Sequence, residues 1–284
     1  MALPVPGRVV EALRRSTVEV LNGSSRSSGS GTGTVVTEGQ VVTNAHVVRG
    51  ASLTVASWEG DRLPASVLRI DGRRDLALLK IQGLRAPASA LGDSNALRPG
   101  TPIVAVGNPL GFVGAVSSGV VHAVGAAPPM GGQTAIYADV RLAPGNSGGP
   151  LADYNGQVVG INTMVISGGL ALAIPSRAVQ LFVKRTRSGS SLGVVVRQVA
   201  LKDKTVGMMI LEVSPGGAAE RASLLPGDVL VGANQSRFRM LEDLEAVTDE
   251  APGSVVVLEF YRAGQRTMRR VALQLERKPN LSAA

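Results

Sequence analysis

The sequence predicts a mainly β protein in two parts: a larger region of short strands forming a barrel or sandwich, then a smaller β domain. Three observations carry this expectation. Short aliphatic or alternating runs recur at close spacing between turn residues. Glycine is abundant, with 35 copies, as many tight turns require, because only glycine enters positive φ without steric cost. Aromatic residues make up 3% against a hydrophobic content of 44%, so the core must be aliphatic. A length of 284 residues suits two or three compact domains.

Taken in order, residues 1–16 read as a leader ending in a weak helix. Pro4, Pro6, Arg8, Glu11, Arg14 and Arg15 leave it without the apolar run of a secretory signal. The Ser/Gly stretch 24–30 is expected to be a mobile loop. Strands are expected at 34–37, 41–43, 52–56, 65–70, 76–81, 103–106, 116–124, 135–140, 158–163 and 171–174. Asn155-Gly156, between Leu151 and Val158, signals a hairpin. The charge-free stretch 101–138 is broken by Pro102, Gly107, Pro109, Gly111, Gly114 and Gly119. It therefore reads as buried strands and turns, not as a membrane span.

A short helix is expected at 175–185, where Ala178, Leu181 and Phe182 share a face. Residues 186–191 form a polar linker, which gives a first domain at 17–185, a second at 192–278 and a loose tail at 279–284. In the second domain, strands are expected at 193–199 and 208–213, and a short helix at 218–222. Leu225-Pro226-Gly227-Asp228 turns into a further strand. A helix at 240–248 and strands at 254–261 and 267–275 complete it.

The net charge of +8 contains no like-charge block and no alternation of Lys or Arg with aromatics. It reads as a basic, solubilising surface, so no nucleic-acid partner is expected. The absence of cysteine removes disulfides, zinc–thiolate sites and thiol nucleophiles. It leaves the compartment open.

The strongest chemical signal is Gly145-Asn146-Ser147-Gly148-Gly149-Pro150-Leu151. A serine hydroxyl is a weak nucleophile until a base removes its proton. It also needs backbone N–H groups aimed at the developing oxyanion and small neighbours that admit a substrate. The glycines at 145, 148 and 149 supply both. Of the two histidines, His46 lies where the 41–43 strand ends and the chain turns, whereas His122 sits inside a strand run and reads as structural. A carboxylate must then hold the imidazole tautomer. Asp75 precedes an apolar strand and can be buried beside a cleft. Asp71, Asp93, Asp139 and Asp153 are its rivals; Asp93 and Asp153 sit in turns, and Asp139 is close to Ser147 in sequence. The expectation is that His46, Asp75 and Ser147 meet in one hydrogen-bonded line.

Together these segments resemble the HtrA/Deg family of trypsin-like serine proteases, over nearly the whole chain. Thr43-Asn44-Ala45-His46-Val47-Val48 is similar to the family's histidine motif and Asp75-Leu76-Ala77-Leu78-Leu79-Lys80 to its aspartate motif. Ala90-Leu91-Gly92-Asp93-Ser94, Gly107-Asn108-Pro109-Leu110-Gly111, the Ser147 motif, Ile161-Asn162-Thr163 and Ala173-Ile174-Pro175 follow in family order. The C-terminal region resembles a single PDZ domain through Ser191-Leu192-Gly193-Val194, Val213-Ser214-Pro215-Gly216-Gly217 and Leu225-Pro226-Gly227-Asp228.

The resemblance implies a chymotrypsin-like pair of six-stranded β-barrels with the catalytic His46, Asp75 and Ser147 in the cleft between them, followed by the small α+β PDZ barrel. It implies oxyanion donors at Gly145 and Ser147, with Asn146 between. A specificity pocket lined by Arg141, Leu142, Leu170 and Leu172 would favour cleavage after Val, Ala, Leu or Ile. It further implies a peptide-binding groove at Ser191, Leu192, Gly193, Val194 and Val196, where a partner's C-terminus adds a strand. The implied function is ATP-independent endopeptidase activity on unfolded or damaged proteins, with no cofactor. The alternative is a non-proteolytic chaperone or peptide binder. Kinship also implies a homotrimer and the cell envelope, against the cytoplasm that the chain as written suggests.

Three departures stand out. Arg141 occupies a position the family usually gives to a small residue, and either enters the specificity pocket or points to solvent. Ala143 replaces the usual Asn before Pro144. The leader lacks the aromatics with which such proteases build trimers. The loop around Gly60 and Arg62 is also short, which argues against a large inhibitory loop.

Overall fold

The computed structural model describes residues 5–24, 27–48, 52–130, 133–166, 168–184, 190–201, 205–239, 241–248, 253–262 and 267–277. Most of the linker expected at 186–191, and the tail expected at 279–284, lie outside the described residues. The chain divides into two compact units, Met1–Val183 and Lys184–Ala284.

The first unit begins with helix α1 (Gly7–Arg15), which ends as the Ser16 and Thr17 hydroxyls donate to Leu13 O. Arg14 and Arg15 occupy its last turn, where cations suit the helix dipole. Two closed barrels follow. The first contains β1 (Thr17–Ser24), β2 (Ser27–Thr37), β3 (Gln40–Thr43), β4 (Leu53–Ala56), β5 (Arg62–Asp71) and β6 (Leu76–Ile81), hydrogen-bonded in the order β1-β2-β3-β6-β5-β4. The second contains β7 (Pro102–Gly107), β8 (Ala115–Ala127), β9 (Gln133–Asp139), β10 (Pro150–Asp153), β11 (Val158–Val165) and β12 (Ala171–Pro175), in the order β10-β11-β12-β9-β8-β7. Pairing of β1 with β4 and of β10 with β7 closes each barrel. Helix α2 (Ser176–Lys184) ends the unit.

The barrel interiors are aliphatic, as the low aromatic content requires. One apolar cluster contains Val18, Val35, Val55 and Leu79 of the first barrel, and another contains Ile103, Val121, Ile136 and Leu151 of the second. A further cluster joins Val42, Leu76 and Leu78 of the first barrel to Val104, Val106 and Ile161 of the second, and includes Val9 and Leu13 of α1. The helix expected at the end of the leader is thus part of the core.

Two readings of the sequence are corrected here. Residues 17–24 form β1, although no strand was expected there. Val18 and Val20 are fully buried on alternate positions, and that alternation is the signal for a half-buried strand. The stretch 24–30, expected as a loop, is strand where it is described: Leu21 pairs with Ser30 and Asn22 with Gly29. Serine and glycine have low strand preference on their own, but closure of the barrel provides the partner. The Asn155-Gly156 turn meets its expectation, with Gly156 N–H donating to Asp153 O and Asp153 Oδ1 accepting from Asn155 and Gln157 N–H.

The second unit contains β13 (Ser190–Ser191), β14 (Val194–Ala200), β15 (Val206–Val213), α3 (Ala218–Arg221), β16 (Val229–Ala233), β17 (Ser236–Arg237), α4 (Leu241–Thr248), β18 (Val255–Tyr261), β19 (Met268–Gln274) and β20 (Glu276–Arg277). Its main sheet runs β14-β15-β16-β18-β19, with β17 on β16, and β13 pairs with β20. Its core gathers Leu192, Met208, Ile210, Leu230, Leu244, Leu258 and Phe260. Asp228, 1% exposed, is held by two bonds from Arg262 and one from Leu225 N–H. Leaving a buried carboxylate without such partners is strongly destabilising. Among the described residues, no helix is long and apolar enough to cross a membrane.

Leu13 is 1% exposed, so Leu13→Ala should cost about 3 kcal/mol of first-unit stability, as truncation in a packed core does. Trp58 is the chain's single tryptophan and lies in that unit. Its fluorescence during urea unfolding reads the loss, and an unchanged midpoint would contradict the core role of α1.

Candidate active site

The site is assembled from both barrels. His46 lies in a short 3₁₀ turn, Ala45–Val48, directly after β3. Asp75 immediately precedes β6 in a left-handed conformation, φ 56°. That conformation is uncommon for a residue other than glycine. It is held here because Asp75 O accepts from Ala45 N–H at 3.1 Å and from Asn44 Nδ2 at 2.9 Å. Its carboxylate accepts from His46 backbone N–H at 2.9 Å, His46 Nδ1 at 2.7 Å and Thr163 Oγ1 at 2.8 Å. A carboxylate only accepts, so the imidazole proton sits on Nδ1 and Nε2 is left as an acceptor.

Burial of Asp75 by itself would raise its pKa. The hydrogen bonds from the His46 side chain and backbone and from Thr163 outweigh it, and hold the carboxyl below the usual aspartate range. Thr163 lies on β11 of the second barrel, so its hydroxyl ties the barrels together at this point.

Ser147 sits between Gly145 and β10. Its hydroxyl donates to Thr163 O at 2.9 Å. The expected line of three side chains is therefore not continuous. His46 and Asp75 are joined, and Thr163 links Asp75 to Ser147 by its hydroxyl on one side and its carbonyl on the other. No hydrogen bond joins Ser147 to His46 among the described residues. Changing the χ1 well of a serine is a small step.

The segment before Ser147 is a tight turn. Asn146 N–H donates to Ala143 O at 3.0 Å, Pro144 takes the second position and Gly145 the third, at φ 102°. This is the pattern of a type II turn, which needs positive φ at its third position. The backbone N–H groups of Gly145 and Ser147 have no acceptor among the described residues. Thr32 Oγ1 donates to Gly145 O at 2.6 Å and accepts from Asn108 N–H at 2.9 Å, while Thr32 N–H donates to Ser147 O at 2.8 Å. A Cβ on Gly145 would lie 2.7 Å from Asn108 O, so the turn is backed directly by the 107–109 backbone.

Beside Ser147 is a pocket of about 330 Å³ whose walls include Leu142, Pro144, Thr163, Met164 and Val165. Of the four residues expected to line it, Leu142 does so. Leu172 is fully buried, because the alternation of β12 turns it into the core. Leu170 is half-buried ahead of β12. Arg141 is exposed and lines a separate concavity with Ser117, Ser118 and Asp139, which keeps its charge hydrated. Met164, Val165 and the bridging role of Thr163 were missed. Thr163 was visible only as part of Ile161-Asn162-Thr163, and nothing local gives a threonine a partner 88 positions away.

Of the rivals to Asp75, Asp71 pairs with Arg74, and Asp93 and Asp153 accept from neighbouring turn N–H groups. His122 is exposed on β8. Among the described residues, no group of three or more His, Asp or Glu side chains could hold a metal ion.

In the second unit, β14 is the edge strand of its sheet among the described strands. Leu192 is buried in the core, Val194 and Val196 pack on it, and Gly193 turns at φ 72°. Ser191 is placed by its backbone, opposite Glu276.

Comparison with known proteins agrees with this arrangement. Residues 31–161 match the trypsin-like peptidase domain and residues 180–258 match the PDZ domain. The chain is 34% identical over 262 residues to a "Probable periplasmic serine endoprotease DegP-like" of Chlamydia trachomatis serovar D, covering 84% of this chain and 53% of the relative. It is 34% identical over 253 residues to a "Putative serine protease HhoB" of Synechocystis sp., covering 79% and 61%. The chain thus spans between about half and three-fifths of the length of these curated relatives. Among solved structures, "HtrA-type protease AlgW with tripeptide" is similar with a TM-score of 0.74 and 27% identity, covering 98% of each chain.

The lowered pKa of Asp75 has a sign that can be tested. Its contribution to stability is complete above about pH 4 and is lost as pH falls through the depressed folded value. Thr163→Val removes one donor, so the folded value rises and the acid limb moves to higher pH. Thermal melting followed by circular dichroism between about pH 6 and pH 2 reads the shift. Coincident acid limbs for wild type and variant would contradict it.

Proposed function

Because this chain belongs to the HtrA/Deg family of trypsin-like serine proteases, we propose that it is an ATP-independent serine endopeptidase acting on unfolded or damaged proteins. The single observation that carries the reading is the hydrogen-bonded set His46–Asp75–Thr163–Ser147 beside a turn with two backbone N–H groups that have no acceptor among the described residues.

In the mechanism, Ser147 Oγ leaves Thr163 O and passes its proton to His46 Nε2 as it attacks the scissile carbonyl. Asp75 stabilises the imidazolium that results. The N–H groups of Gly145 and Ser147 receive the oxyanion, with Asn146 shaping the turn between them. His46 then returns the proton to the leaving amine, the acyl group stays on Ser147, and water repeats the sequence to release it. The pocket at Leu142, Met164 and Val165 is apolar and modest in size, which suits small or aliphatic residues before the cut.

The PDZ domain binds C-terminal peptides for recruitment or activation. A peptide strand adds to the open edge of β14, and its carboxylate meets the backbone N–H groups of 192–194. By kinship the protein forms a homo-oligomer, a trimer, and works in the cell envelope, as the word "periplasmic" in its relatives' names suggests. One observation favours the alternative of a non-proteolytic peptide binder: the Ser147 hydroxyl rests on Thr163 O, away from its base.

Casein digestion by Ser147→Ala should fall by about 10⁴-fold or more, and a fluorophosphonate probe should label wild type at Ser147. Undiminished digestion by the variant removes Ser147 from the mechanism. Absence of labelling, with and without an activating C-terminal peptide, selects the binder.

A further inference from the structure

We infer that Arg14, on the N-terminal helix, is a positioning residue for the Gly145 turn and acts through the loop that ends at Gly114. The inference rests on the reading of Gly145 as an oxyanion donor.

The path is continuous. Val9 and Leu13 anchor α1 in the cluster shared by both barrels. Arg14, the next residue, donates from Nε to Gly114 O at 2.8 Å, and its guanidinium lies 5.3 Å from the centroid of the Trp58 ring. Gly114 has φ 65°, and a Cβ there would lie 2.5 Å from Trp58 Cζ3 and 3.1 Å from Arg14 Cγ. Gly114 N–H donates to Asn108 Oδ1 at 2.8 Å, and Asn108 is 1% exposed. Asn108 N–H donates to Thr32 Oγ1, which in turn donates to Gly145 O. The Asn108 carbonyl also packs directly against Gly145.

Between its ends the loop is closed by Phe112 N–H donating to Pro109 O, and two of its apolar side chains face solvent. Phe112 is 69% exposed and Val113 is 51% exposed. It is held at Asn108 and at Gly114, where Arg14 Nε donates to the Gly114 carbonyl, Asn108 Oδ1 accepts from its N–H and Trp58 packs against it. This matters because type I and type II turns differ by reversal of the central peptide. Reversal at Pro144–Gly145 would present a carbonyl where the Gly145 N–H now points. The 108–109 backbone lies against Gly145 and opposes that reversal. Releasing Gly114 loosens this backing while leaving His46, Asp75, Ser147 and the apolar pocket in place. The consequence falls on the charge-bearing transition state and not on substrate capture.

The test uses the full chain carrying Arg14→Met, which keeps an alkyl stem over Gly114 without a donor, and Arg14→Lys, which restores a cationic donor. Active sites are counted with the fluorophosphonate, and hydrolysis of a peptide substrate with an aliphatic residue before the cut is measured. Binding of the matching peptide boronic acid, whose tetrahedral adduct fills the oxyanion position, is measured alongside. For Arg14→Met we expect kcat per titrated site to fall about fivefold to tenfold, the usual scale for coupling carried through packed groups. KM should stay within about twofold, boronate affinity should fall by the same factor as kcat, and Arg14→Lys should recover at least half of the loss.

Arg15→Met, which removes the neighbouring cation of the same helix and only its pairing with Glu11, should leave kcat per titrated site unchanged. An unchanged kcat in Arg14→Met, or an equal loss in Arg15→Met, overturns the inference. So does failure of Arg14→Met to fold while Arg15→Met folds, since Arg14 would then belong to the fold alone. These outcomes are separate from the reading of the site, which falls if Ser147→Ala stays active or if the fluorophosphonate fails to label wild type.

Discussion

The Asp75 carboxylate is the constraint on which the active region depends. It is largely withdrawn from water, and a carboxylate so placed must be fully hydrogen-bonded or give up its charge. Two of its donors belong to His46 in the same barrel, and the third is the hydroxyl of Thr163 in the other. One acid therefore fixes the imidazole tautomer, the path of the chain entering β6 and the approach of the second barrel. Its left-handed backbone is the local cost of pointing the carboxylate inward, offset by the two donors that converge on its carbonyl.

Around this point the barrels meet through backbone as much as through side chains. Thr32 on β2 contacts Gly145 and Ser147 with its hydroxyl and N–H and accepts from Asn108 N–H, and Thr34 donates to Gly148 O. Such contacts are short and directional, and they leave no room for side chains at the positions they cross. Gly148 illustrates this, since a Cβ there would run into Thr32 O. The apolar cluster shared by the barrels supplies the bulk of the cohesion, while these polar crossings set the register within it.

How much of this could be read from the sequence follows from how local each signal is. His46, Asp75 and Ser147 were legible because each sits in its own run of five or more informative residues. The double barrel came from the resemblance, since the strand runs alone left a sandwich open. β1 was missed although Val18 and Val20 alternate, and the start of β2 was read as a loop because it is Ser and Gly, which only closure of the barrel makes a strand. Thr163 was passed over because threonine is common and its two contacts come from distant segments. The pocket was placed on Arg141, Leu142, Leu170 and Leu172, yet beside Leu142 its wall is Met164 and Val165, one strand earlier than Leu172, because chain path and not composition decides which side chains reach Ser147. Arg14 read as one more charge in a leader, and its partner is a backbone carbonyl that carries no signature at all.

The way the site is divided between the barrels has a consequence for biosynthesis. His46 and Asp75 emerge early from a ribosome, but their third donor lies at residue 163, and the barrel that carries it closes only with β12, at Ala171–Pro175. A nascent chain shorter than this lacks both the Thr163 donor to Asp75 and the closed barrel that carries Ser147. The hydrogen-bond set around Asp75 is therefore completed late, as a property of the finished fold and not of any fragment.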